Sequence, residues 1–274
     1  MRFPAWAIIP ILLLAAGQAS AAATYDLREN VSVGQTFRVQ MDNHRHLRSS
    51  TTTAGKTTRS DIQYRQFMIS TITVLAEENG SATQIRVKVD PDSHNSQTDS
   101  GGMKLIDCSF AGQTVTLRRR SDESVANDFA GQPDPNDLDN LNSLLDPDAD
   151  FYPDHPVAVG EVWDVSAKVS RHAGLGPNDQ LMAQCRLDSV SNIDGKEIAQ
   201  LSCSCGTILQ EEGNLEEDME WTATMQVDIA KGEITYSDLK GTSTFSTPAS
   251  EPTVVTGGTV FHCESKILPT PSAQ

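Results

Sequence analysis

Two histidines one residue apart, His44 and His46, are the first positions along the chain whose type and spacing could do chemistry. On a strand, residues i and i+2 share a face, so the pair could present two imidazole nitrogens to one metal ion. The alternation of Phe37, Val39 and Met41 assigns those side chains to the core, however, which turns both histidines to solvent with only Asp42 near as a third ligand. A second candidate is Asp146, Asp148 and Asp150, whose spacing resembles the opening of a calcium loop. That loop needs glycine at its sixth position and a carboxylate at its twelfth, where this chain has Phe151 and Val157. These five residues are therefore weak metal candidates, read by default as a polar face and a solvated connector, and no cofactor is expected.

Nucleophilic catalysis finds less support. The chain contains neither G-x-S-x-G nor H-E-x-x-H. Cys263 directly follows His262, and adjacent strand residues point to opposite faces, so they cannot form a dyad. The cysteines are Cys108, Cys185, Cys203, Cys205 and Cys263. Cys185 shares its parity with Leu181, Ala183 and Leu187, Cys203 and Cys205 with Leu201, and Cys263 with Phe261 and Ile267, which places them on apolar strand faces. The leading expectation is a set of buried small hydrophobes; the alternative is a cross-strand disulfide between Cys185 and either Cys203 or Cys205. C-x-C alone lacks the second ligand pair of a zinc site.

The formal net charge is −16. Residues 121–164 hold twelve Asp and Glu and no Lys or Arg. Such a surface repels phosphate backbones, so nucleic acid is excluded as a partner. The one basic cluster, Arg118-Arg119-Arg120, is expected to be a solvated strand end.

The elements that would carry these residues are mostly strands. Ile85, Val87 and Val89 alternate with Gln84, Arg86 and Lys88, and Trp221, Ala223, Met225, Val227 and Ile229 alternate with polar residues, the period of half-buried antiparallel strands. Asn79-Gly80, Asp194-Gly195 and Lys231-Gly232 are turn signals between such runs. One helix is expected, capped by Asp134 with Pro135 at its first position, and Leu138, Leu141, Leu144 and Leu145 would lay it against the sheet. The acidic residues around it read as a connector, and Glu211–Glu220 as an acidic hairpin loop.

The chain also repeats itself. Val31-Ser-Val-Gly-Gln-Thr-Phe-Arg-Val39 returns 126 residues later as Val157-Ala-Val-Gly-Glu-Val-Trp-Asp-Val165. Gly34 and Gly160 would allow a tight turn or bulge, and Phe37 and Trp163 would seal the core beyond it. Asn79-Gly80 is matched by Asp194-Gly195, and Gly112-Gln113-Thr114 is echoed by Gly232-Glu233-Ile234. This V-x-V-G-x-x-[FW] strand resembles one in exported bacterial proteins of unknown function. More remotely, the pattern is similar to that of periplasmic lipoprotein carriers. The resemblance implies a curved antiparallel sheet that could hold an apolar ligand, and it implies no catalytic residues.

The N-terminus carries Arg2, a short apolar run through Leu14, and Ala19-Ser20-Ala21. That is the pattern of a cleavable secretory signal peptide, with cleavage expected after Ala21. Gln18 stands where a lipid-anchored protein would have cysteine, and no later apolar run reaches transmembrane length. The resulting expectation is an all-β protein with a curved antiparallel sheet or half-barrel. Its parts would be a signal peptide (1–21), a first β unit (24–126), an acidic connector with a short helix (127–150), a second β unit (151–268) and a disordered tail (269–274). Its expected role is non-enzymatic binding of an apolar or lipid-like ligand in the periplasm or outside the cell. The alternatives are an interaction module for another envelope protein and a secreted hydrolase.

Overall fold

A computed structural model describes residues 23–145, 148–172, 180–211, 215–248 and 253–269. The expected leader, Asp146 and residues 270–274 of the expected tail lie outside these. The elements are β1 (Thr24–Tyr25), β2 (Thr36–Thr53), β3 (Lys56–Glu78), β4 (Ser81–Val89), β5 (His94–Asp99), β6 (Gly102–Asp107), β7 (Thr114–Arg119), β8 (Val125–Asn127), α1 (Pro135–Asn142), β9 (Val157–Ala158), β10 (Val162–Asp164), α2 (Ser166–His172), β11 (Gln180–Ile193), β12 (Lys196–Glu211), β13 (Leu215–Asp228), β14 (Glu233–Ser246) and β15 (Thr253–Leu268).

Among the described residues, thirteen strands form one antiparallel sheet, ordered β10-β11-β12-β13-β14-β15-β2-β3-β4-β7-β8, with β5 and β6 branching from β3. The sheet is curved and open, since its end strands β10 and β8 do not pair. β15 pairs with β2 from Thr253↔Thr53 to Leu268↔Arg38, so the two expected β units share one sheet. Alternation along each strand sends one parity inward. The inward residues form two clusters. The first core is built on Ile72, Ile85, Val87 and Leu117, the second on Trp163, Leu187, Leu201 and Met225.

The repeat is a real local structure. Gly34 and Gly160 adopt φ of +86° and +90°. Gly34 N donates to Val74 O at 2.9 Å, as Gly160 N does to Leu187 O at 2.7 Å. Trp163 is buried in the second core, and Phe37 is half-buried against the first. Asn79-Gly80 and Asp194-Gly195 both take positive φ at both residues, the geometry of a type I′ hairpin turn. The third echo is not equivalent. Gly112 leads into β7, the neighbour of β4, whereas Gly232 leads into β14, one strand further out beyond β13.

α1 begins as expected: Asp134 Oδ1 accepts from Asn136 N at 2.9 Å, Pro135 opens the helix, and Leu141 and Leu145 are buried. Four features differ from the sequence reading. A second helix, α2, follows β10, in a stretch with no apolar stripe to announce it. Of the expected loop Glu211–Glu220, Glu211 ends β12, residues 212–214 lie outside the described residues, and residues 216–220 are strand, paired with both β12 and β14. Asp137 is not solvated; it is 1% exposed and accepts from Gln66 Nε2 (2.9 Å), Asn95 Nδ2 (2.8 Å) and Ser109 N (2.7 Å). These donors replace the water a buried carboxylate would lose, and they pin α1 to the sheet. Arg119 also turns inward, its guanidinium donating to Leu145 O.

Candidate ligand-binding site

The two cores do not meet cleanly. At the middle of the sheet the inward positions carry small or polar side chains, Ser237 on β14 and Cys263 and Ser265 on β15. They leave a cavity of about 280 Å³ at the seam. Its floor also includes Phe37, Val39 and Met41 of β2, Leu239 of β14 and Ile267 of β15. Its roof is Glu29 and Val31 from the segment before β2, with Leu144, Leu145 and Phe151 from the connector.

The roof segment is a strap anchored in both units. Tyr25 in β1 pairs with Val157 in β9, and Leu27 is buried in the second core. Val31 N donates to Gly80 O at 2.8 Å. The strap passes so close to two turns that only glycine fits beneath it. A Cβ on Gly80 would stand 2.7 Å from Glu29 O, and one on Gly232 would collide with Arg28 O. In the connector part of the roof, Trp163 Nε1 donates to Phe151 O at 2.9 Å, and Phe151 packs edge-on to Trp221, so the repeat's aromatic positions part of the roof.

Two carboxyl groups belong to the cavity wall. Glu29 Oε2 is buried without a hydrogen-bond partner. Burial pushes the Glu29 pKa up, against the lowering effect of the Ser81 hydroxyl, the Ala82 amide and Arg119; nearby Asp150 adds to the rise. Burial likewise raises Glu233, with Lys231 partly offsetting it at 3.7 Å. The Cys263 thiol, half-buried on the floor, is raised by burial as well, which keeps it a thiol and a poor nucleophile.

The weak metal candidates His44 and His46 lie on the opposite, outer face. His44 Nε2 is 3.0 Å from Asp42, and His46 Nε2 is 2.7 Å from Asp61. Sequence reasoning missed their cross-strand neighbour. His262, paired in register with His44, stacks on it with ring centroids 6.3 Å apart and bonds Asp238 at 2.7 Å. Arg65 grips Asp42 through two bonds of 3.0 and 2.8 Å. Among the described residues no three His, Cys, Asp or Glu are placed to hold a metal ion. Asp150 sits beside Glu29, away from the histidines, and Asp148 lies in the 3₁₀ turn Asp148–Phe151.

Cys185 and Cys203, directly opposed on β11 and β12, form a disulfide, so for this pair the alternative holds in place of the leading expectation of buried unbonded cysteines, and the partner of Cys185 is Cys203 and not Cys205. Cys108, Cys205 and Cys263 are free thiols. His262 and Cys263 do face opposite sides: the imidazole meets Asp238 on the outer face, the thiol the cavity. Among the described residues no helix is long and apolar enough to cross a membrane.

No family model and no curated protein matches the chain. Solved structures similar to it include lipovitellin, in a study of its lipid–protein interactions, at 7% identity and TM-score 0.45; the match covers 89% of this chain, which spans only 26% of lipovitellin. A DUF1329 family protein from Desulfovibrio piger matches at 9% identity and TM-score 0.16, covering 85% of this chain and 87% of that one. An outer membrane lipoprotein-sorting protein domain from Vibrio parahaemolyticus matches at 7% identity and TM-score 0.11, with the same coverages. At these identities and TM-scores the likenesses assign neither ligand nor activity.

Proposed function

We propose that the chain is an exported, non-enzymatic binding protein of the cell envelope that holds an apolar, lipid-like ligand in the seam between its two cores. The observation that carries this reading is the cavity of about 280 Å³, lined by Phe37, Met41, Ile234, Leu239 and Ile267 and roofed by a strap that only glycine turns admit. Ligand pockets are apolar recesses with a few placed polar groups, typically of about 300 Å³ or more, and this cavity lies just below that range. An unfilled seam costs packing energy, so a well-packed core would be the default unless something occupies it. The Cys185–Cys203 disulfide, with the leader expected from the N-terminal sequence, supports an oxidising compartment.

The test is native mass spectrometry of protein purified from its own host, paired with displacement of an apolar fluorophore. Co-purifying apolar mass, lost in a Ser265→Phe variant that fills the cavity floor, is the expected result. Clean apoprotein together with no fluorophore binding would overturn the reading.

A second reading, an interaction module for another envelope protein, is favoured by one feature. The outer face bears an open groove of about 970 Å³ with Met182 78% exposed and Val260 59% exposed on its walls. An open groove of this size with exposed apolar side chains on both walls is a surface that a partner protein can cover. Charging the groove with Met182→Lys separates the two readings, because it leaves the inner cavity untouched.

A further inference from the structure

We infer that the occupant of the seam cavity is a single-chain amphiphile with a protonated amine as its head group, and that Glu29 is the head-group partner. This rests on the apolar-ligand reading and adds to it the chemistry of the ligand's polar end.

Glu29 Oε2 is a buried acceptor with no partner. Among the described residues it is the one such orphan belonging to a residue of this cavity. An ionised carboxylate only accepts hydrogen bonds, so the missing group is a donor, and an ammonium supplies both the donor and the opposite charge. The other charges nearby agree. Glu233 lines the same wall, and Asp150 acts on Glu29 as a like charge. Arg119, the cation whose charge acts on Glu29, is not among the lining residues; its guanidinium donates to Leu145 O and lies 3.6 Å from Glu123. A carboxylate or phosphate head would therefore meet like charge in a site of low dielectric, which disfavours it strongly. The raised pKa of Glu29 fits the same picture, since burial penalises a charge that an incoming ammonium would compensate. Apart from Glu233, Cys263 and the serines Ser143, Ser237 and Ser265, the remaining side chains of the wall are hydrocarbon, and the small volume suits one chain.

The experiment compares decylamine, decanol and decanoate as displacers of an apolar fluorophore from the full chain. The expected order is decylamine tightest by about tenfold over decanol, with decanoate weakest. Glu29→Gln should abolish the amine's advantage and leave decanol within about twofold. Should that variant fail to fold, the unaltered protein still decides: amine affinity should fall as Glu29 is protonated on lowering the pH, and decanol affinity should not. Decanoate or decanol binding as tightly as decylamine overturns the head-group assignment, as does full amine preference in folded Glu29→Gln. Failure of all three to bind overturns the apolar-ligand reading instead.

Discussion

Gln35 and Glu161 occupy the same position in two copies of one turn: Gln35 Oε1 accepts from Ser32 N at 3.0 Å, and Glu161 Oε2 accepts from Ala158 N at 2.9 Å. The backbone bonds match too, with Gln35 N donating to Ser32 O at 3.0 Å and Glu161 N to Ala158 O at 3.1 Å. Each turn aims its aromatic, Phe37 or Trp163, at a core, so the duplication extends from residue identity to hydrogen-bond geometry.

The two copies should differ in their response to acid. The Ala158 amide, and after it His155, hold the Glu161 carboxyl below the usual glutamate range. A depressed carboxyl contributes stability that is present above its unfolded pKa and is lost as pH falls through the folded one. Urea melts of Glu161→Gln and the parent should therefore differ at neutral pH and converge in acid. Gln35→Ala should cost about 0.5–1 kcal/mol at every pH.

The strap makes Gly232 irreplaceable in a way Gly195 is not. Both have positive φ, but a Cβ at Gly195 meets nothing within 4 Å, whereas at Gly232 it strikes the backbone of Arg28. Gly195→Ala should cost about 1 kcal/mol, the strain of its φ alone. Gly232→Ala should cost at least about 2 kcal/mol and expose the strap to proteolysis after residue 23, read by thermal melts and limited digestion.

Reducing the Cys185–Cys203 bond, which closes a loop with sequence separation 18, should lower unfolding stability by about 3 kcal/mol. Denaturant melts of the Cys185→Ser/Cys203→Ser double variant read the loss. Equal midpoints with and without reductant in the parent would show that the bond contributes nothing.

Carboxyl groups on the two faces should pull stability in opposite directions with pH. On the outer face Arg65 lowers Asp42, and Lys240, with His262 after it, lowers Asp238. Their contribution is present near neutrality and lost in acid. Glu29 and Glu233 are raised by burial, so their contribution is fully present below the unfolded glutamate pKa and is lost as pH rises through the folded values. Glu29→Gln should thus stabilise the chain more at pH 8 than at pH 4, and Arg65→Ala should destabilise it more at neutral pH than in acid.

What was legible in the sequence is what neighbours along the chain decide. Alternation set the inward face of β4 and β13, positive-φ dipeptides set the turns at Asn79-Gly80 and Asp194-Gly195, and Asp134 with Pro135 set the start of α1. Each depends on interactions within a few residues, which a local pattern records. Glu29 gave no such signal, because its strap crosses turns at Gly80 and Gly232 that are distant in sequence. Asp137 looked like one more surface acid until Gln66, Asn95 and Ser109 converged on it. His262 met His44 only through the pairing of β15 with β2.

The sequence by itself determined the strands, their buried faces and the repeated turn. Only the tertiary structure decided that the two units share one sheet and that the seam between their cores stays open beneath Glu29. The reason is physical: side-chain alternation says which face of a strand seeks burial but not which distant strand completes it. That choice belongs to the β15–β2 ladder, which joins Thr253 to Thr53 across most of the chain.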